Sequence, residues 1–156
     1  MLTQIINGRI LTPQGWLKDG SIILRDEKIL EVTNCDLAII GANIIDARGM
    51  YIVPGGIEMH VHGGGGRDFQ EGLEDAFKIA TESHLLHGTT SLYATLSSST
   101  VPMIMAAAEV CEKIMEEDPK TPLLGLHLEG HYLNPKKAGA QQPGWLKDPD
   151  PNEYIP

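Results

Sequence analysis

The amino-acid sequence predicts an α/β protein in which a small all-β segment, residues 1–50, precedes alternating strands and helices in residues 51–156. Three observations support this prediction. Short apolar pieces separated by turn residues fill the first segment. Apolar residues recur at steps of three and four in two later stretches, and β-rich runs stand between those stretches. The resulting order of strand, helix, strand, helix and strand favours parallel strands with right-handed crossovers.

The first 50 residues contain two predicted hairpins. Asn7-Gly8 lies between apolar residues, and both positions tolerate a positive φ, so a two-residue turn is expected there. Asp26-Glu27 separates two apolar stretches and predicts the second hairpin. Two further apolar pairs, at residues 39–40 and 44–45, are expected to add short strands to this all-β unit.

Helical periodicity occurs in two stretches after residue 50. In the first, the spacing predicts a helix face made of Leu73, Ala76, Phe77, Ala80 and His84. In the second, Thr100 is expected to cap a helix with Pro102 in its first turn, where the missing N–H has no intrahelical partner to lose. The apolar stripe of this second helix consists of Ile104, Ala107, Ala108, Cys111, Ile114 and Met115.

Three β-rich runs flank these helices. The first leads from Tyr51 to His62 and is followed by four glycines, Gly63 to Gly66. The second covers residues 88–96, and the third covers residues 123–129. The remaining stretch, residues 130–156, is rich in Pro, Gly, Lys and Asp and is expected to form a long loop that serves a site.

The length of the alternating part leaves two architectures open. A complete (β/α)8 barrel needs about 250 residues, whereas 156 − 50 = 106 residues follow the all-β segment. If the fold is a barrel, the chain holds its first three βα units and is truncated. If the chain is complete, the fold is a small open α/β sheet.

Composition excludes several classes of partner. The formal net charge of −9 disfavours nucleic acid and anionic membranes, which both require a basic surface. No apolar run approaches the roughly 18 residues of a membrane span, and the N-terminus lacks the pattern of a signal peptide. Cys35 and Cys111 have no metal-type spacing and are interpreted as free thiols of a cytoplasmic protein.

His60 and His62 form the first candidate metal half-site. Side chains alternate along a strand, so both imidazoles, together with Glu58, are expected on one face, while Met59 and Val61 face the helices. The glycines that follow allow a sharp turn beside whatever the histidines bind. The alternative is one structural and one surface histidine, since a His-x-His pair alone is a weak signal.

Glu129 is the second candidate. The same alternation places it on one face with Gly125 and His127, while Leu124, Leu126 and Leu128 face the other way. Two histidines and one glutamate form a ligand set of catalytic zinc sites. The alternative for Glu129 is a loop or helix cap, and a packing or supporting role is expected for His127.

Other polar residues are interpreted as structural. His84 and His87 end the first helix, where the helix dipole favours a histidine. Lys136 and Lys137 follow Asn134 in the last loop and could meet an anionic substrate, but a solvated loop face is the simpler interpretation.

Three motifs together resemble the amidohydrolase superfamily and, within it, the N-acetylglucosamine-6-phosphate deacetylase family. The first is the stretch 54–66, which runs from Pro54-Gly55 through His60-Val61-His62 to Gly66. The second is His87-Gly88-Thr89-Thr90. The third and most specific covers residues 127–140, His-Leu-Glu-Gly-His-Tyr-Leu-Asn-Pro-Lys-Lys-Ala-Gly-Ala.

The resemblance implies a (β/α)8 barrel with a small β-sandwich built from both chain ends. It implies hydrolysis of the acetamide of N-acetylglucosamine 6-phosphate, with Glu129 as a metal ligand and His60 and His62 as ligands of an added metal. One or two divalent ions, Zn or Fe, are expected. A main-chain substrate contact maps to Ala140, and Gln141 takes the place of a histidine that meets the sugar. The resemblance places the aspartate general base beyond Pro156, and the full-length protein is expected to be a homodimer.

Four residues depart from the family pattern. Gly56 replaces an aromatic residue and Glu58 an aspartate, while His131 replaces a proline and Gln141 a histidine. The last two leave the substrate open, so an amidohydrolase acting on another amide is one alternative. A second is a catalytically silent chain that only folds or binds metal, because no general base is evident within it.

Overall fold

The structure, a computed structural model, describes residues 1–35 and 38–154. The chain divides into two compact units, Met1–Pro54 and Gly55–Pro156. This division lies four residues after the boundary expected at residue 50. The difference arises because Tyr51–Ile52 is a short strand that pairs with the first strand of the chain and so belongs to the first unit.

The first unit is a five-stranded sheet. Its strands are β1 (Leu2–Thr12), β2 (Gly15–Arg25), β3 (Lys28–Thr33), β4 (Asn43–Asp46) and β5 (Tyr51–Ile52). The order is β3-β2-β1-β4, with β5 also pairing with β1. The first three strands are antiparallel neighbours, whereas β4 and β5 run parallel to β1.

The predicted hairpin at Asn7-Gly8 is wrong. Asn7 has a φ of 56°, but β1 continues through it as one strand, and its register with β2 shifts on both sides of Gly8. The dipeptide therefore forms an irregularity within the strand, because a positive φ serves a bulge as well as a turn. The actual turn between β1 and β2 lies at residues 13–14.

The other predictions for this unit have mixed outcomes. The hairpin at Asp26-Glu27 is confirmed, since Arg25 pairs with Lys28 across it. Residues 44–45 lie in β4 as predicted. Residues 39–40 form no strand, because a turn closes there with a hydrogen bond from the Ala42 amide to the Ile39 carbonyl.

The second unit alternates strands and helices as predicted. Its parallel strands are β6 (Gly56–Val61), β9 (Thr89–Leu96) and β10 (Leu123–Leu128), in the order β10-β9-β6. A small antiparallel ribbon, β7 (Gly63–Gly64) and β8 (Arg67–Asp68), follows β6. The crossovers contain α1 (Glu74–Leu85) and α2 (Val101–Glu117), and a short α3 (Pro151–Tyr154) follows the long loop after β10.

The hydrophobic core of this unit lies between the sheet and the two long helices. Ala76, Phe77 and Ala80 of α1 are buried, as the helical spacing predicts, whereas Leu73, expected on the same face, precedes the helix and is exposed. The buried cluster consists of Phe69, Phe77, Ala80, Leu92, Ala94, Leu96, Ala107, Cys111, Ile114 and Leu123. Thr100 occupies the N-cap position of α2, but its side chain makes no capping hydrogen bond, so the expected cap is only positional.

The last strand breaks the expected alternation. Gly125 has a φ of 145°, and the pairing of β10 with β9 shifts between Leu123 and Gly125. Leu126 packs against the core, whereas Leu124 and Leu128 are exposed. The bulge changes the facing of the residues before it, so Leu123 is buried and Leu124 is exposed, and the predicted alternation does not extend back to Leu124.

Two further predictions concern membrane spans and the two cysteines. None of the helices in residues 1–35 and 38–154 has both the length and the apolar character that crossing a membrane requires. Cys35 and Cys111 are free thiols, Cys35 exposed and Cys111 buried. Burial raises the pKa of the Cys111 thiol to about 11.

Candidate metal centre

Three predicted ligands meet at the carboxyl ends of parallel strands. His60 lies near the end of β6, His62 directly follows that strand, and Glu129 directly follows β10. Polar side chains at this end of a parallel sheet are the usual components of a binding site. The structure thus brings together residues from the two outer strands of the three-stranded sheet.

The ligand atoms are close enough to share one cation. The Nε2 atoms of His60 and His62 are 3.3 Å apart. Glu129 Oε2 lies 3.3 Å from His62 Nε2, and Glu129 Oε1 lies 3.9 Å from His60 Nε2. Nitrogen atoms about 2.0 Å from one tetrahedral zinc are about 3.3 Å from each other. The observed separations therefore fit a metal site of this kind.

The donor set and its exposure also fit a cation that is open to a ligand. Side-chain exposure is 50% for His60, 42% for His62 and 32% for Glu129. Two imidazoles and one carboxylate suit Zn²⁺ or Fe²⁺, and three protein ligands leave at least one position for another molecule. Among the described residues, these three form the one group of His, Cys, Asp and Glu side chains with this spacing.

Glu58 does not join the histidines as the alternation predicts. The register of β6 with β9 shifts between Glu58 and Val61. Glu58 pairs with Leu92, whose side chain is in the core, and Val61 packs partly against the same core. The shift places one extra residue between these two positions, and Met59 is left exposed.

His127 lies beside the three ligands without joining them. Its Nδ1 is 3.1 Å from the hydroxyl of Thr95, and its ring centroid is 5.1 Å from that of His60. The supporting role expected for His127 agrees with this placement. Thr95 was not singled out by the sequence, although its position in the strand between the ligands could have indicated it.

Gly63, the first residue of β7 after His62, occupies a position with no room for a side chain. A Cβ placed on Gly63 would lie 2.0 Å from the carbonyl oxygen of Arg67 in the opposite strand of the ribbon. Nε2 of His84 lies 2.9 Å from the carbonyl oxygen of Gly63. His87 makes a similar contact, with Nδ1 at 2.8 Å from the carbonyl oxygen of Ser83. Both histidines are structural, as predicted.

The two predicted substrate contacts lie on the loop after β10. Ala140 is exposed in a turn. The side-chain oxygen of Gln141 accepts a 2.6 Å hydrogen bond from the amide of Ser98, in the loop after β9. The amide of Gln142 donates to the Ser98 hydroxyl at 3.1 Å. These bonds tie the loop after β10 to the loop after β9, a connection that sequence patterns did not indicate.

A second group of polar contacts stabilises the stretch after Glu129, residues 131–153. The Tyr132 hydroxyl donates a 2.6 Å hydrogen bond to Glu153, which also pairs with Lys147. This bond raises the pKa of Tyr132 to about 12. His131 is buried, and its Nε2 lies 3.8 Å from Glu153 without a hydrogen bond. His131 therefore does not belong to the ligand cluster.

Other polar groups of the loops serve local structure. The Asn134 side chain accepts a hydrogen bond from the Lys136 amide, and Lys136 and Lys137 are exposed, which supports the simpler interpretation of these lysines. Asp68 caps a short 3-10 helix at Phe69–Glu71, and the Asp150 side chain accepts from the Asn152 amide.

Comparison with known proteins shows which proteins this chain is similar to. No family model matches the chain. N-acetylglucosamine-6-phosphate deacetylase of Bacillus subtilis is 32% identical over 146 residues, which are 90% of this chain and 37% of that protein. N-acetylgalactosamine-6-phosphate deacetylase of Escherichia coli is 26% identical over 149 residues, covering 94% of this chain and 38% of that protein.

Solved structures give the same result. The crystal structure of N-acetylglucosamine-6-phosphate deacetylase from Pasteurella multocida matches with a TM-score of 0.90 at 25% identity, covering 97% of this chain and 40% of that chain. The chain spans 33% to 40% of the length of the curated relatives that it matches. In sequence and in its mixed α/β fold, the chain is therefore similar to one portion of the N-acetylglucosamine-6-phosphate deacetylases. The share of their length that it covers is consistent with an N-terminal portion.

Proposed function

We propose that the chain forms the N-terminal, metal-binding part of an N-acetylglucosamine-6-phosphate deacetylase. The reaction is hydrolysis of the acetamide of N-acetylglucosamine 6-phosphate to glucosamine 6-phosphate and acetate, a step of amino-sugar catabolism in the cytoplasm. The observation that supports it most directly is the convergence of His60, His62 and Glu129 in a chain similar to these deacetylases.

The proposal includes an architecture for the whole protein. The three parallel strands are the first strands of a (β/α)8 barrel, and the first 50 residues contribute to a β-sandwich. The protein acts as a homodimer on a small amino-sugar phosphate and does not bind nucleic acid or membranes. The net charge of −9 supports the last point, because both surfaces are anionic.

Within this architecture, His60, His62 and Glu129 hold one or two divalent ions, Zn²⁺ or Fe²⁺. A divalent ion supplies Lewis acidity that polarises a carbonyl and lowers the pKa of water. The carboxylate of Glu129 offsets part of the charge of the cation, and the imidazoles add neutral donors.

The loop after β10 binds the sugar. The main chain of Ala140 and the side chain of Gln141 are the proposed contacts. Because Gln141 Oε1 accepts from the Ser98 amide, its side-chain nitrogen is the group left to donate to a hydroxyl or a phosphate oxygen. Proton transfer to the leaving nitrogen requires a further acid or base, for which we propose an aspartate from outside these 156 residues.

A second substrate is favoured by a specific observation. The chain also matches an N-acetylgalactosamine-6-phosphate deacetylase at 26% identity. The two sugars differ in the configuration of one hydroxyl group, and discrimination between them depends on hydrogen bonds to that group. Gln141 is the residue of this loop that departs from the family pattern at a proposed sugar contact.

The test is acetate release by the purified full-length protein loaded with Zn²⁺ or Fe²⁺. N-acetylglucosamine 6-phosphate, its galactosamine isomer and an N-acetylated dipeptide serve as the three substrates. Turnover is expected with the amino-sugar phosphates and to disappear after chelation. Hydrolysis of the dipeptide alone, by folded and loaded protein, would overturn the proposal. We expect the isolated 156-residue chain to be inactive.

A further inference from the structure

Thr95 occupies a special position among the residues around the metal centre. It lies in β9, the strand between the two strands that carry the ligands, and its side chain is fully buried. Its hydroxyl oxygen lies 3.0 Å from the amide nitrogen of Val61 in β6 and 3.1 Å from Nδ1 of His127 in β10. One side-chain oxygen thus connects all three strands of the sheet.

The contact on the β6 side fixes the peptide between the two histidines. Val61 is the residue between His60 and His62, and the regular ladder with β9 is interrupted between Glu58 and Val61. The Thr95 oxygen accepts the hydrogen bond of the Val61 amide at the end of this interruption. Leaving this partly buried amide without an acceptor would cost free energy, so the bond stabilises the local backbone.

The contact on the β10 side reaches the strand that carries Glu129. His127 stands two residues before Glu129. Since the Thr95 oxygen accepts from Val61, its own proton can be donated to His127 Nδ1, or its second lone pair can accept from a protonated Nδ1. Either tautomer preserves the bridge. The His127 ring also packs against the ring of His60.

We propose that Thr95 is a positioning residue of the metal centre, whose hydroxyl sets the separation of the His60–His62 pair from Glu129. It does not touch the cation and acts through Val61 and His127. This inference rests on the metal site of the proposed function. Residues that orient metal ligands through hydrogen bonds typically change metal affinity by about 10-fold to 100-fold when they are mutated.

Metal binding by the full-length protein, not activity, provides the test. Zn²⁺ affinity is measured by competition with a chromophoric chelator, and the visible absorption bands of Co²⁺ report the ligand geometry. Thr95→Val keeps the volume and removes the hydroxyl, and it should weaken Zn²⁺ binding about 10-fold to 100-fold and shift the Co²⁺ bands. Thr95→Ser, which keeps the hydroxyl, should restore both to near the original values.

Matched controls separate this role from a general effect of packing. Thr81→Val changes another buried threonine, on α1, and should leave Zn²⁺ affinity unchanged. Should Thr95→Val fail to fold, His127→Phe tests the same bridge from a less buried position and should weaken binding about 10-fold. If folded Thr95→Val or His127→Phe binds Zn²⁺ with the affinity of the unmodified protein, the inference is overturned and the proposed function is not. Absence of metal binding by the unmodified protein overturns both the inference and the proposed function.

Discussion

Nε2 of His62 lies 3.3 Å from Oε2 of Glu129, although the two residues follow strands that do not pair with each other. β9 lies between these strands and pairs with both. Both ligands are therefore carried by the ends of strands in a three-stranded sheet, not by a flexible loop. Such a scaffold holds ligand atoms in place before a metal binds.

Glu129 is the ligand whose loss should be most costly to activity. In the full-length protein, Glu129→Gln removes the one negative charge of the cluster while keeping its shape. Deacetylation of N-acetylglucosamine 6-phosphate should fall about a thousandfold or more, because several kcal/mol of charge stabilisation is lost. Metal content and acetate release are measured on the same preparation.

Glu109→Gln is the matched control for this change, since Glu109 is an exposed residue of α2 far from the strand ends. It should leave kcat and metal content within about twofold of the original protein. Equal activity in the two variants would remove Glu129 from the centre.

His60→Asn should have a milder effect than Glu129→Gln. If His60 and His62 serve an added ion, removal of one imidazole lowers the metal stoichiometry from about two ions towards one while part of the turnover remains. Elemental analysis after dialysis against a chelator resin measures the stoichiometry. A His60→Asn protein with an unchanged metal count would contradict this assignment, and His87→Asn provides a histidine control away from the cluster.

The side chain of Gln141 has two proposed roles: its oxygen accepts a hydrogen bond from the Ser98 amide, and its nitrogen donates to the sugar phosphate. Two substitutions are needed to distinguish these roles. Gln141→Glu retains an oxygen that can accept from the Ser98 amide, but it loses the amide donor and adds a charge that repels phosphate. We expect KM for the sugar phosphate to rise about 10-fold or more with kcat nearly unchanged. Gln141→Ala loses both functions and should also lower kcat.

Gln142→Ala controls for this pair of variants, since Gln142 contacts Ser98 through its backbone and its side chain is exposed. Steady-state kinetics of the four proteins provide the comparison. A KM that does not change in Gln141→Glu would show that the side chain serves only the loop.

The sequence predicted the repeating part of the fold because its signals are local. The spacing of Ala76, Phe77 and Ala80 reports a buried helix face whatever packs on it, and the structure confirms the burial of these three residues. Asn7-Gly8 was predicted wrongly for the opposite reason. A positive φ suits a turn and a bulge equally, and the pairing of β1 with β2 on both sides of it decides between them.

In the site too, local sequence signals predicted some features, whereas other features depend on distant parts of the chain. Alternation along one strand brought His60 and His62 together, but no local rule places Glu58 after a register shift or assigns Gln141 Oε1 to the Ser98 amide. Both depend on residues from another strand or loop, whose position is set only after the sheet forms. The position of Glu129 at a strand end and the family resemblance both indicated it as a ligand, and the tertiary structure gives its distance from the histidines.

Phe77 should contribute strongly to stability. Its side chain is fully buried and packs edge to face on Phe69, with ring centroids 5.0 Å apart. Phe77→Ala should lower the free energy of unfolding by about 3–5 kcal/mol, since it leaves a cavity in the core. Leu86→Ala, an exposed residue at the end of α1, should change it by less than about 0.5 kcal/mol. Urea unfolding followed by circular dichroism distinguishes the two.

The two thiols should differ in reactivity. Burial shields Cys111 and raises the pKa of its thiol to about 11, so at pH 8 it is largely protonated, whereas Cys35 is exposed. Brief alkylation of the native protein should label the peptide that contains Cys35 and spare Cys111. Raising the pH towards 11 increases the thiolate fraction of Cys111. Peptide mass spectrometry after native and denatured labelling reads both sites, and rapid native labelling of Cys111 would contradict its burial.

The crossover connections between the parallel strands also separate the ligands of the metal centre along the chain. His60 and His62 are close in the chain and can bind a cation weakly in an unfolded segment, whereas Glu129 joins them only when β6, β9 and β10 have formed the sheet. Closing long connections of this kind slows folding. A cation present during refolding gains its full affinity only with the native sheet, so it stabilises the folded state by mass action and does little to hasten the steps that lead to it.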